Sequence, residues 1–276
     1  MRVILPYTPP YNWAAMSQFL AARATPGVER VDASGYCRSI SVNGFTGSIA
    51  VAPMSGTSAL TVDVAIPDRA LIPRIVENVA RMFDVDHDPA EVTKVLATSK
   101  LLKRACEAHA GIRLPGAWDP FELAVRAILG QQISVRAATT MAGRVAAKWG
   151  EAVTTEHGLN RLFPWPAALV DAKLEKAGII ASRARTIRRL AQLVSAGTLS
   201  FESPTAVEDL QTITGIGEWT AQYIAMRALR DADAFPSGDL VLRRKAGNCT
   251  ARLLEKRSQR WRPYRAYAVM LLWQTG

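Results

Sequence analysis

Two different spacings of apolar residues divide the chain at about residue 88. Before that point, apolar and polar residues alternate at 36–42 and 45–51, and the pair Asn43-Gly44 separates the two runs. Runs of this kind around Asn-Gly predict a β-hairpin, and the alternating run 59–66 predicts a further strand. Apolar residues at helical spacing lie on either side, at 11–23 and 71–83. We therefore expect a small antiparallel sheet with helices on one face.

Helical spacing replaces the alternation after residue 88 and continues to the end of the chain. The predicted helices cover residues 89–97, 100–109, 120–129, 134–149, 166–171, 182–196, 206–212, 218–230, 240–246 and 264–274. The pattern predicts the α+β class, with a small N-terminal antiparallel-sheet domain followed by a mostly α-helical body in two lobes. We place the domains at residues 1–88, at 112–231, and at 89–111 together with 232–276.

Positive charge predominates, since 34 Lys and Arg residues against 24 Asp and Glu give a formal net charge of +10. This balance favours a polyanionic partner such as nucleic acid, although a basic protein without such a partner has the same balance. Cys37, Cys106 and Cys249 are too few and too far apart for a disulfide framework or a CxxC metal site. With only three histidines, a histidine-based metal site is also disfavoured. We expect neither a cofactor nor a catalytic metal.

The first residues lack the apolar core of a signal peptide. No apolar run reaches the roughly 20 residues that span a bilayer. We therefore expect a cytoplasmic protein with no membrane partner.

A glycine turn, Gly215-Ile216-Gly217, joins two of the predicted helices. Glycines let backbone amides approach a phosphate closely because no Cβ intervenes, and the N-terminus of the next helix favours the same anion. Thr220, in the first turn of that helix, is placed to offer a hydroxyl. A plain interhelical turn with a glycine cap is the alternative. The pattern predicts a helix-hairpin-helix, which binds the DNA backbone without reading sequence.

A single acid, Asp239, follows the hairpin helix in the segment Phe235-Pro236-Ser237-Gly238-Asp239. A helix is predicted directly after it, so one role for Asp239 is that of an N-cap. A carboxylate near the hairpin can also stabilise positive charge that develops on a deoxyribose, or orient an attacking water. The two roles are compatible. Since no second carboxylate stands out, a leaving group that needs little acid assistance is favoured.

These motifs resemble the helix-hairpin-helix DNA glycosylase superfamily, and more closely its 3-methyladenine DNA glycosylase II (AlkA) group. The resemblance covers nearly the whole chain and is carried by Tyr11-Asn12-Trp13, by Gly130-Gln131-Gln132-Ile133-Ser134, and by the hairpin with its acid. It implies that Asp239 is the catalytic carboxylate and that Gly215, Gly217 and Thr220 bind the DNA backbone. The resemblance also implies a monovalent cation at backbone carbonyls of the hairpin, here those of Gln211, Ile213 and Ile216.

The resemblance places five residues around a base pocket: Phe19, Trp219, Tyr223, Leu240 and Trp273. Aromatic residues at helical spacing are also common in ordinary cores. Together they predict an electron-rich cleft that attracts a cationic alkylated purine, after the base has left the helix stack. Leu240 departs from the group, which has an aromatic residue there, and this departure places the pocket floor in doubt.

The residue expected to intrude into the duplex behind the flipped base is Gln132, where leucine is the familiar choice, and Ile133 is expected to share this wedge role. Arg243 and Arg244, just past Asp239, are expected to contact the DNA backbone. The arginines at 183, 185, 188 and 189 form a second basic cluster, either a solvated face or a further DNA contact.

Trp219 stands where strand-cutting relatives carry a lysine that forms a Schiff base with the sugar. Tryptophan cannot do this, so the nucleophile is expected to be water. The resulting hypothesis is a monomeric, monofunctional DNA glycosylase of base excision repair. It excises alkylated bases, chiefly 3-methyladenine and related N-alkylpurines, from double-stranded DNA and leaves an abasic site. The alternatives are a non-enzymatic helix-hairpin-helix DNA-binding module and an oxidised-purine glycosylase.

Overall fold

A five-stranded antiparallel sheet forms the N-terminal part of the computed structural model, which describes residues 1–275. The strands are β1 (Arg2–Pro6), β2 (Glu29–Asp32), β3 (Gly35–Val42), β4 (Phe45–Pro53) and β5 (Ala59–Ala65), in the spatial order β1-β5-β4-β3-β2. The predicted hairpin is confirmed: Val42 pairs with Phe45, and Asn43 and Gly44 both have positive φ, 51° and 82°. A two-residue turn that matches strand twist requires this conformation. The short strands β1 and β2 were not predicted from the sequence.

Thirteen α-helices lie within residues 1–275, and eleven of them belong to the body after the sheet. They are α1 (Trp13–Ala21), α2 (Ile72–Phe83), α3 (Pro89–Leu96), α4 (Lys103–Ala108), α5 (Pro120–Leu129), α6 (Val135–Trp149), α7 (Pro166–Leu169), α8 (Ala181–Ser195), α9 (Ala206–Gln211), α10 (Glu218–Ile224), α11 (Leu240–Lys245), α12 (Ala251–Ser258) and α13 (Arg265–Gln274). A π-helical turn, Ala225–Leu229, continues α10. The fold class is therefore the predicted one. Helix α12 was not predicted because its largely charged sequence has few apolar positions.

Buried apolar side chains form three cores. The first lies between the sheet and helices α1 and α2, and includes Ile40 and Phe83. The second joins α5, α6 and α8 to α9 and α10, the two helices on either side of the glycine turn. The third surrounds α13 and Trp261. The exact limits of the three predicted domains stay a prediction. No helix of residues 1–275 is both long and apolar enough to cross a membrane.

A buried network of four charged residues ties the sheet to α5. Arg38 donates to Glu122 at 2.9 Å, and Arg126 donates to Glu29 at 2.9 Å and to Glu122 at 3.0 Å. Burial alone would raise the pKa of Glu29, but the guanidiniums of Arg126 and Arg38 outweigh burial and hold that pKa below its ordinary value. Each charge is therefore compensated although water is excluded.

Asp84, directly after α2, connects distant parts of the chain through its carboxylate. Oδ2 accepts the backbone N–H of Leu114 at 3.0 Å and the hydroxyl of Tyr267 at 2.8 Å. Oδ1 accepts a hydrogen bond from Arg230 at 3.2 Å. The N-terminal sheet unit is thus fastened both to the segment before α5 and to α13.

Candidate active site

The glycine hairpin has the shape that the sequence predicted. Gly215 has φ of +96°, and a Cβ at this position would lie 2.2 Å from the Thr186 hydroxyl on α8. Glycine is therefore required for the turn to close against α8. Gly217 caps α10 and is exposed, and a Cβ there would meet no atom within 4 Å. Its amide edge is open to solvent, while Ile213 and Ile216 are buried on the other side.

Thr220 lies buried under the hairpin, and its contact with a phosphate stays a prediction. The residue is 3% exposed, and its Oγ1 accepts a hydrogen bond from Nε2 of Gln131 at 3.0 Å. The same Gln131 amide donates to the carbonyl of Gly215 at 2.7 Å. The physical reason is helical position, since the third residue of α10 faces the core and α5. Thr220 therefore shapes the hairpin from within.

The predicted wedge lies in the turn between α5 and α6. Gln132 is exposed and has φ of +55°, a left-handed conformation that is uncommon for a residue with a side chain. Arg183 donates to the carbonyl of Gln131 and holds this turn from α8. Ile133 lines the adjacent cleft, and Gln132 is not among the lining residues. Their wedge roles stay a prediction.

Asp239 takes one of the two roles that the sequence left open to it, that of an N-cap, and its catalytic role stays a prediction. It is the N-cap of α11, and its Oδ1 accepts the backbone N–H of Leu242 at 2.9 Å. Its Oδ2 accepts the indole N–H of Trp219 at 3.1 Å. Two donors from two different helices therefore fix the orientation of the carboxylate, which lies on the wall of a cleft of about 400 Å³.

Aromatic rings form one wall of this cleft. Trp219 and Tyr223 stack with ring centroids 5.5 Å apart and an interplanar angle of 13°, and Tyr223 lies 6.3 Å from Trp273. All three rings line the cleft. Phe19 is 5% exposed and stacks on Trp273 at 6.2 Å, so it supports the wall from behind.

Leu240 is not among the residues that line the cleft, and its role in the base pocket stays a prediction. Its side chain is 62% exposed and is absent from the lining residues, whereas the next residue, Val241, lines the cleft. Leu240 is the first residue of α11, immediately after the cap, and there it faces solvent.

Comparison with known proteins agrees with this geometry. Residues 2–119 match the AlkA N-terminal domain, and residues 125–253 match the HhH-GPD superfamily of base excision DNA repair proteins. DNA-3-methyladenine glycosylase 2 of Escherichia coli is 34% identical over an alignment of 278 positions that, with its gaps, covers 98% of this chain and 96% of that protein. The chain belongs to the AlkA group of the HhH-GPD superfamily.

Other matches extend this AlkA-group assignment. A probable bifunctional transcriptional activator/DNA repair enzyme AlkA of Mycobacterium tuberculosis is 33% identical, and the alignment covers 98% of this chain but 56% of that protein. Among solved structures, a 3-methyladenine DNA-glycosylase of Archaeoglobus fulgidus superposes with a TM-score of 0.83 at 21% identity, covering 99% of this chain and 96% of that one. At this identity the superposition establishes the common fold.

Three arginines around Tyr223 were not expected from the sequence. Arg23 and Arg126 line the cleft, and Arg227 donates to the Tyr223 hydroxyl at 3.0 Å. Burial alone would raise the pKa of the Tyr223 phenol, but the positive charges of Arg227, Arg23 and Arg126 hold it below its ordinary value. Burial lowers the pKa of Arg227 to about 10, so this guanidinium is still charged at neutral pH.

Little in the sequence could have revealed this arginine set. The residues come from three separated segments, namely the turn after α1, helix α5 and the π-helical turn after α10. Only the four-residue spacing of Glu122 and Arg126 was a signal, and it is typical of a surface ion pair on a helix.

The basic residues outside the cleft differ in their surroundings. Arg244 is exposed, whereas Arg243 is half-buried and donates through Nε to the carbonyl of Cys249 at 2.9 Å. In the other basic cluster Arg183 is buried, and Arg188 donates to Glu175 at 3.0 Å. That cluster is therefore not a uniformly solvated face. Contact of Arg243 and Arg244 with DNA stays a prediction.

The monovalent cation expected at the backbone carbonyls of Gln211, Ile213 and Ile216 stays a prediction. The carbonyl of Ile213 accepts the N–H of Ile216 at 2.9 Å, and this bond holds the turn in a closed form. Residues 1–275 contain no group of three or more His, Cys, Asp or Glu side chains that could hold a metal ion.

Proposed function

We propose that this protein is a monofunctional DNA glycosylase that flips alkylated bases out of double-stranded DNA, releases them by hydrolysis and leaves an abasic site. The observation that carries the proposal is the pairing of Asp239 with Trp219 at 3.1 Å on the wall of an aromatic cleft. A carboxylate with fixed orientation stands beside a space that a single base can fill. Membership of the AlkA group supports alkylated bases as the substrate class.

The described residues have distinct roles in this proposal. The open edge of the hairpin at Gly217 and the N-terminus of α10 hold a backbone phosphate. Trp219, Tyr223 and Trp273 contact the faces and edges of the flipped base. Asp239 stabilises the positive charge that develops on the sugar as the bond to the base breaks, and it orients the attacking water. Its orientation costs no rearrangement during the reaction because both hydrogen bonds already exist.

A hydrolytic rather than a covalent reaction is supported by the composition of the cleft. No lysine is among the cleft-lining side chains of residues 1–275, and position 219 carries an indole that already bonds Asp239. Schiff-base chemistry needs an amine at the sugar. We expect no covalent adduct when the protein is incubated with lesion DNA and borohydride. A trapped adduct would establish the strand-cutting alternative instead.

The decisive experiment is release of free bases from methylated genomic DNA, resolved by chromatography. The wild-type protein should release 3-methyladenine, and Asp239→Asn should abolish release while DNA binding survives. Asn retains an oxygen for the N-cap, so the variant should fold. If the wild-type protein binds DNA but releases no base, the protein is a DNA-binding module without catalytic activity.

We propose that the protein acts as a monomer in the cytoplasm, with double-stranded DNA as its partner. The net charge of +10 supports an anionic partner of this kind.

A further inference from the structure

Helix α12 has one face that is exposed and almost uniformly positive. On its other face Leu254 and, just after the helix, Trp261 are buried in the third core. Six positions between 251 and 261 are exposed, and four of them carry a positive charge: Arg252, Lys256, Arg257 and Arg260. The last of these lies in the short 3-10 turn that continues the helix. We call these four residues the basic face of α12.

Acidic side chains do not neutralise this basic face. Glu255 is the only acidic residue of α12, and it is engaged on the opposite side of the helix, where it accepts a hydrogen bond from Arg265 at 2.8 Å. Within residues 1–275, Arg252, Lys256 and Arg260 form no ion pair. The positive charge of the face is therefore open to an anion from outside the protein.

Part of this charge is unfavourable to the helix itself. The negative end of the helix dipole stabilises Lys256 and Arg257, which lie in the last turn, but the positive end repels Arg252, which lies in the first turn. Arg252, Lys256 and Arg260 also follow one another at intervals of four residues, and like charges at this spacing repel. A bound polyanion would relieve both repulsions.

The basic face continues the rim of the base cleft. Asp239 caps α11 at the cleft wall and Val241 lines the cleft, while Arg244 is exposed one turn further along the same side of the helix. Arg257 donates to the carbonyl of Ala246 at 3.0 Å and so holds α12 against the far end of α11. Because α11 has six residues, this end lies about 9 Å from the cleft wall. A DNA strand advances about 3.4 Å per base pair, so α12 lies within a few base pairs of the flipped base.

We propose that the basic face of α12 binds phosphates of the duplex that flanks the lesion, on the side of the cleft that α11 forms. This inference rests on the proposed glycosylase function and adds a second backbone contact to that of the glycine hairpin. The hairpin offers a backbone amide edge at Gly217, whereas α12 offers side-chain charges, which attract the phosphate backbone of any sequence. Together the two contacts hold the DNA on both sides of the flipped base.

The double variant Arg252→Gln with Lys256→Gln tests this inference, because both side chains are exposed and glutamine is a good helix former. The probe is a duplex with a tetrahydrofuran abasic-site analogue at its centre, titrated at several salt concentrations. We expect binding to weaken about tenfold at about 0.1 M salt, and the slope of log K against log salt to become shallower by about 1.8, since each phosphate contact contributes about 0.9. The excision rate with saturating enzyme should not change, because neither side chain lines the cleft.

Two shorter duplexes locate the contact. Each carries the analogue near one end, so that one duplex extends only on one side of the lesion and the other duplex only on the opposite side. The double variant should bind one of them more weakly and the other as tightly as the wild-type protein does, because α12 lies on one side of the cleft. The single variant Arg252→Lys keeps the charge and should keep the wild-type salt slope.

The matched control is Arg69→Gln with Arg81→Gln, which removes two exposed charges from the N-terminal unit and should leave the slope unchanged. An unchanged slope in the α12 double variant overturns the inference, as does an equal change in the control or an equal loss on both one-sided duplexes. Thermal unfolding shows whether the double variant folds, and Lys256→Gln alone carries the test with half the change in slope if it does not. Base release from methylated genomic DNA is measured separately. If the wild-type protein releases no base while the slopes still differ, the proposed function fails and the contact at α12 stands.

Discussion

The side-chain amide of Gln131 donates a hydrogen bond to the carbonyl of Gly215 at 2.7 Å. Gln131 belongs to the turn that presents Gln132, and Gly215 closes the glycine hairpin. One side chain therefore links the two segments that face DNA in the proposed complex. A DNA strand bound at the glycine hairpin therefore lies at a fixed distance from Gln132, the residue expected to enter the duplex.

The change Gln131→Ala should slow excision without weakening the binding of undamaged DNA. We expect excision of a lesion to slow about tenfold, equivalent to about 1.4 kcal/mol, because the Gln132 turn loses its link to the hairpin. Affinity for undamaged DNA should change little, since the hairpin amides remain. Single-turnover excision and a binding titration measure the two effects, with Gln18→Ala, an exposed glutamine on α1, as the control. An equal loss in both assays would contradict the coupling.

Alanine substitution at the two hairpin glycines should have different effects, on stability at Gly215 and on DNA binding at Gly217. Gly215→Ala places a methyl group 2.2 Å from the Thr186 hydroxyl at a positive φ, so we expect a loss of about 1 to 3 kcal/mol in the free energy of unfolding. Gly217→Ala has open space and an ordinary φ of −87°. It should fold normally but bind DNA more weakly, because the methyl group stands where a phosphate approaches. Chemical denaturation and DNA titration distinguish the two, and equal stabilities would refute the distinction.

Trp219→Phe should slow catalysis more than it weakens binding. Phenylalanine keeps an aromatic face for the base but cannot donate to Oδ2 of Asp239. We expect excision to slow about tenfold or more, because hydrogen bonds to charged groups contribute about 1.5 to 3 kcal/mol. The rate with saturating enzyme reports the chemical step, and the enzyme concentration for half-maximal rate reports binding. A change confined to binding would show that the indole N–H does not position the carboxylate.

Glu122→Gln should destabilise the whole protein. The change leaves Arg38 and Arg126 buried with one carboxylate fewer, and breaking a buried pair in this way costs about 3 to 5 kcal/mol. Urea denaturation measures the loss, and Glu208→Gln, an exposed glutamate on α9, serves as the control. A loss no greater than that of the control would mean that water compensates the network.

His87 should make stability depend on pH. Burial lowers its pKa below the ordinary value, and the ring stacks on Tyr267 at 4.6 Å. The charged groups that face it are Asp84, Asp88, Arg113 and Arg230. Below about pH 6.5 the unfolded chain binds a proton that the folded chain does not yet bind. The free energy of unfolding should therefore fall as pH drops through 6.5 toward the folded pKa of His87.

Denaturation at about pH 7.5 and about pH 5 measures this dependence. His87→Phe, which keeps a stacking ring but does not titrate, should remove that part of it. A pH profile identical to that of the wild-type protein would assign the dependence to other groups.

The sequence predicted the parts of the structure that depend on neighbouring residues better than the parts that depend on contacts between distant residues. The Asn43-Gly44 turn and helix α5 depend on neighbours along the chain, so local patterns located them. The pairing of Trp219 with Asp239 depends on how two helices pack, and the family resemblance supplied both residues but not their hydrogen bond. The position of Arg23 at the cleft depends on distant contacts, namely Arg126 with the carbonyl of Arg23 and Thr139 with the carbonyl of Ala22, which no local pattern encodes.

The Asp84 carboxylate, which binds Leu114, Arg230 and Tyr267, has a mechanical consequence. Together with the buried charges at Glu29 and Glu122, it fastens the units that surround the cleft, and we therefore expect the width of the cleft to change little when DNA binds. The distortion that brings a base into the cleft would then come mainly from the duplex. Sequence steps that kink and unstack at low cost should present a damaged base more readily. The stiffness of the DNA on either side of a lesion thereby becomes part of what selects it.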